Sequence, residues 1–225
     1  MIGDRGFGAS VEWVARLAAA WREGAGRAGM ASVGKHFPGH GGVEADSHTE
    51  LPRDDRDWET LAAEDLVPFA HLIGQGLEAV MPAHVLYPRM APEPAGFSPF
   101  WLREVLRDRL GFQGVIFSDD LNMAAARVGG GYSERALAAL EAGCDMLLIC
   151  NNRPAAIEIL AALDQYSDPA AERRLRRMQG RGQPSPEGLQ ADPRWQAARR
   201  QVALLEELES LAGPLGDPTT PGARL

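Results

Sequence analysis

Lysine, cysteine and uninterrupted apolar sequence are all scarce in this chain, and each scarcity removes a class of function. Lys35 is the only lysine in 225 residues, and the formal net charge is -8 with a pI near 5.2. Without basic runs or a basic amphipathic helix, neither a nucleic acid nor an anionic membrane is an expected partner. The two cysteines, Cys144 and Cys150, are spaced for neither a redox motif nor a zinc site. Each falls in an apolar run, so both are expected to be reduced core residues. No stretch approaches the roughly 18 apolar residues of a membrane span. The start, Met1-Ile2-Gly3-Asp4-Arg5, has no charged region followed by an apolar one. The expectation is a cytoplasmic chain that is neither exported nor anchored.

What is present is enough apolar sequence, 45% of residues, to bury a sizeable core. Apolar runs of strand length alternate with segments of helical period, the pattern of βα units in a parallel sheet. The strand candidates are Ala31 to His36, Leu77 to His84, Gly114 to Asp119 and Asp145 to Cys150. Helices are expected at about Trp58 to Gly74, Pro99 to Leu110, Ser133 to Ala142 and Pro154 to Leu163. An earlier helix, about Ser10 to Ala28, is capped by Ser10 and stopped near Gly24 to Gly29. Residues 1–166 thus read as one parallel α/β domain. Residues 167–212 read as a helical extension, with a last helix from Pro193 to Ala212 outside the sheet, and 213–225 as a Gly/Pro-rich flexible tail.

In parallel α/β folds the ligand site forms at the C-terminal ends of the strands. The unusual polar residues gather there: Lys35 and His36, then His84, then Asp119 and Asp120, then Asn151 and Asn152. The loop from Phe37 to about Asp57 is long for a βα connection, which marks it as functional or mobile. Lys35 and His36 offer donors for sugar hydroxyls or a carboxylate. A capping lysine beside a core histidine explains that pair equally well. Asp46 two residues before His48 suits a carboxylate that holds an imidazole for proton transfer. Asp119 and Asp120 end an apolar strand and must be solvated, metal-bound or given different roles by their surroundings. A metal held by His36, His40, His48 and one aspartate is disfavoured by the adjacent charge of Lys35.

Gly34-Lys35-His36-Phe37-Pro38-Gly39-His40-Gly41, Asp46-Ser47-His48, Met81-Pro82-Ala83-His84, Gly114 to Met123 and Ala142-Gly143-Cys144-Asp145-Met146 follow one another in an order that resembles glycoside hydrolase family 3. Within it, the chain is similar to bacterial cytoplasmic β-N-acetylglucosaminidases of peptidoglycan recycling, from residue 1 to about 211. The resemblance implies a TIM barrel and a retaining mechanism with a covalent glycosyl-enzyme intermediate. By position it makes Asp119 the nucleophile, His48 the general acid and then base, and Asp46 the residue that orients His48, with Asp120 supporting. Arg5, Lys35 and His36 match positions that hold the N-acetylglucosamine ring. The implied substrate is a muropeptide such as GlcNAc-1,6-anhydroMurNAc with its peptides. No cofactor and no metal are implied.

The family barrel has eight βα units, whereas four are legible here, and the Asp-x-Glu-Gly-Gly-Arg-Val type of segment has no counterpart. The chain is therefore expected to be the C-terminal part of such a barrel, N-terminally truncated, with residues 1–166 as a partial TIM-barrel catalytic domain that has an open sheet edge. Self-association or a missing N-terminal half would then be its protein partners. Two other functions remain open at this stage: a sugar-binding remnant without turnover, and a lyase or aldolase forming a Schiff base at Lys35.

Overall fold

A computed structural model describes residues 2–182 and 185–212, so the tail expected at 213–225 lies outside the described residues. Four parallel strands form one sheet in the order of the chain: β1 (Val33–Phe37), β2 (Ala79–Pro82), β3 (Val115–Asp120) and β4 (Met146–Leu148). Helical segments connect them, as crossovers between parallel strands require. Helix α1 (Val11–Arg27) precedes β1, and Ser10 caps it by accepting from the Trp13 N–H. Between β1 and β2 lie α2 (Trp58–Ala63) and α3 (Leu66–Gly74). A π-helix, Phe100–Arg109, leads to β3. Then come α4 (Tyr132–Ala142) and, after β4, α5 (Arg153–Ala162). Strand and helix positions thus follow the sequence pattern to within a few residues.

The continuous helix expected from Trp58 to Gly74 is in fact two helices, broken at Glu64 and Asp65. Pro68 is the cause, since its ring would clash with the Glu64 carbonyl of an unbroken helix. In a helix that restarts at Leu66, Pro68 falls in the first turn, where no N–H is needed. Beyond α5, α6 (Pro169–Leu175), α7 (Pro186–Ala191) and α8 (Pro193–Ala212) complete the described chain. The α8 bounds are those expected, and its described side chains are mostly exposed. No helix among the described residues is long and apolar enough to cross a membrane.

The core lies between the sheet and the helices, around the fully buried Phe37, Tyr87, Trp101, Leu102, Leu106 and Ile116. Phe37 meets Phe69 and Trp101 edge-on, and Tyr87 packs on Trp101. Two ion-pair hubs fasten the strand ends opposite the site. Arg22 of α1 grips Glu78 just before β2. Asp145, just before β4, accepts from Arg107, Arg174 and the Ile116 N–H. Cys144 is buried as expected, but Cys150 is exposed. β4 ends at Leu148, so Cys150 already belongs to the strand-end loop and not to the core.

The other face of the sheet is open. Gly34 backs onto Leu77 and Phe69, so Val33 and Lys35 face away from the helices, where both are exposed. Helix α1 also presents Trp13 and Trp21 to solvent.

Candidate active site

The end of β1 is irregular in a way that matters for the site. Lys35 pairs with Met81 and Phe37 with Pro82, so His36 is an extra residue in the ladder. In a regular strand Lys35 and Phe37 would share a face. Here Phe37 is fully buried and Lys35 is exposed, because the bulge changes the face between them. The Lys35–His36 and Phe37–Pro38 peptide bonds in this segment are both cis.

Asp119 stands at the end of β3 with 8% of its surface exposed, and its Oδ1 accepts the Asp120 N–H at 2.8 Å. Its charge acts on His36, His40 and His84, which places three imidazoles around it. Burial lowers the pKa of all three. In His36 it reaches about 4, with Asp119 opposing the shift and Lys35, His40 and Arg5 adding to it. His36 is therefore neutral at pH 7. Its Nδ1 is buried and has no protein partner among the described residues, as a group reserved for a ligand would be. Arg5 sits on a short turn, Gly3–Arg5, with Nε donating to the Ile2 carbonyl, and is exposed.

Asp46 and His48 form a compact unit on the loop after β1. One Asp46 oxygen accepts both the His48 N–H at 2.9 Å and the ring Nδ1–H at 2.7 Å. The two bonds hold the Asp46 pKa below its ordinary value, so the carboxylate stays charged. With Nδ1–H committed to Asp46, Nε2 is the nitrogen left to exchange a proton. Ser47 between them is buried, lies 3.3 Å from His40 Nε2 and accepts from the Ala125 N–H beyond β3. The His48 side chain is 59% exposed, and no hydrogen bond or ion pair among the described residues joins it to Asp119. The structure thus gathers Arg5, Lys35, His36 and Asp119, and carries Asp46 and His48 on the adjoining loop. Among the described residues no three His, Cys, Asp or Glu side chains form a metal-binding group.

Three parts of this site escaped the sequence. The first is the base of the loop, where Arg56 pairs with Asp54, Glu64 and Asp65. A Cβ at Gly42 would collide with Arg56 and one at Gly39 with Asp65, so these glycines let the loop lie on the hub. The charge-dense run Asp54-Asp55-Arg56-Asp57 was the available signal. The second is the hold on Asp120, whose Oδ1 accepts the N–H groups of Asn122 and Cys150. The third is a polar set in which Tyr132 and Asn152 both donate to Asn122 Oδ1.

The profile of the glycosyl hydrolase family 3 N-terminal domain matches residues 1–179. The chain belongs to glycosyl hydrolase family 3. This family 3 chain is 54% identical over 199 residues to a β-hexosaminidase of Methylococcus capsulatus, covering 88% of its own length and 60% of the relative's. Among solved structures it is similar to NagZ of Neisseria gonorrhoeae in complex with N-trifluoroacetyl-D-glucosamine, with TM-score 0.83 and 44% identity. That match covers 91% of this chain and 59% of the other. A family 3 β-N-acetylglucosaminidase from Paenibacillus matches with TM-score 0.73 and 37% identity, over 79% of this chain and 35% of that one. The family 3 chain therefore spans about three-fifths of the curated relative's length, and its four parallel strands are part of a TIM-type barrel.

Proposed function

We propose that this chain carries the catalytic end of a retaining exo-β-N-acetylglucosaminidase acting on terminal N-acetylglucosamine of peptidoglycan fragments in the cytoplasm. Asp119 attacks the anomeric carbon as the bond to the leaving oxygen breaks, and protonated His48 gives its Nε2 proton to that oxygen. Water then attacks the same carbon, His48 takes the water's proton, and the C–O bond to Asp119 breaks to release the sugar and the free carboxylate. Asp46 keeps the ring in the tautomer that this exchange needs. Lys35, His36 and Arg5 hold the sugar.

The observation that carries the reading is the Asp46–His48 bond at 2.7 Å on a loop tied, through Ser47, to the segment after β3. An imidazole in place of a second carboxylate avoids like-charge repulsion beside an anionic nucleophile. The names of the relatives support the sugar, β-hexosaminidase for one and β-N-acetylglucosaminidase for another. The test is release of chromophore from an aryl N-acetyl-β-glucosaminide by the purified chain and by Asp119→Asn. Turnover that the substitution abolishes supports the proposal, and turnover that survives it removes Asp119 from the role.

A further inference from the structure

The hydrogen bonds around Asp120 converge on one residue, holding the peptide groups on both sides of its Cα. Its N–H donates to the Asp119 carboxylate at 2.8 Å, and its side chain is held by the Asn122 and Cys150 N–H groups. The carbonyl of Asp120 has its own partner, His84 Nε2, at 3.2 Å. His84 comes from the segment after β2, is fully buried, and stacks on Phe97 with centroids 5.3 Å apart and planes 23° from parallel. Gly96 closes the other approach, since a Cβ there would stand 3.3 Å from His84 Nδ1. The ring therefore has one place to sit.

A carbonyl oxygen can only accept, so Nε2 carries the ring proton and Nδ1 is left as a lone pair. Nδ1 indeed has no partner among the described residues. A second proton on it would be a buried donor without an acceptor, which is costly. Burial lowers the pKa of this ring; the charge of Asp119 and the carbonyl and carboxylate of Asp120 oppose that shift, and the guanidinium of Arg135 adds to it.

We infer that His84 is a positioning residue, whose Nε2–H pins the Asp120 carbonyl so that the opposite side of the residue presents its N–H to the Asp119 carboxylate. This rests on the reading of Asp119 as nucleophile. It gives the histidine beyond β2 a specific task that its place at a strand end alone does not assign. A nucleophile displaced by even about 1 Å loses on the order of a hundredfold in rate, so a neutral histidine far from any proton transfer can still govern turnover.

The test compares the chain with His84→Phe, which keeps the ring volume and the Phe97 contact but deletes the donor, and with His84→Gln, which restores an N–H near Nε2. In the Phe variant the Asp120 amide should exchange with solvent at least roughly tenfold faster. Its kcat on an aryl N-acetyl-β-glucosaminide should fall about 10- to 100-fold with KM little changed. The Gln variant should recover most of both losses. Unchanged Asp120 exchange in the Phe variant, or a Gln variant no better than Phe, overturns the inference. Should the Phe variant not fold, nitrogen chemical shifts of His84 in the unaltered chain decide it. A proton fixed on Nε2 between pH 5.5 and 8 supports the role, and a proton on Nδ1 or a ring that titrates in that range overturns it. A chain with no turnover at all would instead count against the hydrolase reading, while the exchange measurement still judges His84.

Discussion

At the end of β3, Asp119 is buried and receives a main-chain N–H, and the next residue is held by donors from two other segments. On the loop after β1, His48 has most of its side chain in solvent and takes its orientation from Asp46, two residues away. A nucleophile must meet one carbon along one line, so it gains from a fixed seat. A group that gives and then takes a proton has to reach two different oxygens in turn, and a loop can supply that movement. The two supports match the two tasks proposed for Asp119 and His48.

The comparison is broken most severely at its fixed side. Asp119→Asn should lower kcat on an aryl N-acetyl-β-glucosaminide by roughly 10⁴-fold or more, without loss of the thermal transition. His48→Ala should sharpen it. For poor leaving groups, which need the proton, the loss should be about 10²–10⁴-fold, whereas an activated aryl glycoside should be cleaved to its covalent intermediate at nearly the original rate. Equal losses on both substrates would take the acid role away from His48.

The loop has a fixed base, and Arg56→Met should release it. That change leaves Asp54, whose side chain is 3% exposed, without its cation. The expected cost is about 3 kcal/mol, seen in a urea melt, and a larger KM should accompany it. The smallest effect concerns pH. His36 has a pKa of about 4 in the folded chain against 6.5 for the unperturbed group. Between these values the unfolded chain binds the extra proton, so stability rises with pH through this window and is lost as pH falls from about 6.5 towards 4. Down to pH 5 the loss from His36 is at most about 2 kcal/mol. Thermal melts of the chain and of His36→Gln should converge on acidification.

Much of the strand-end architecture was legible because βα periodicity and the apolar runs do not depend on distant contacts. Ser10 as a cap, the bounds of the last helix and the places of Lys35, His36 and Asp119 all follow from local pattern. Pro68 carried a local signal for the break at Glu64 that the apolar periodicity across it masked. The roles of His84, Arg56 and Asn122 were not legible in the same way. Their partners lie 36, 9 and 30 residues away, and only the fold brings them together. The exposure of Cys150 depends likewise on where β4 stops.

The bond from the Asp120 N–H to Asp119 has a consequence for anyone mapping this chain by substitution. A main-chain donor belongs to every residue but proline. Nineteen of the twenty amino acids at position 120 would keep it, roughly speaking, and an alanine scan would register Asp120 for its side chain alone. The main-chain support of the proposed nucleophile is thus nearly invisible to genetics, and what a screen can detect is the side chains, such as His84, inferred to hold this donor in place.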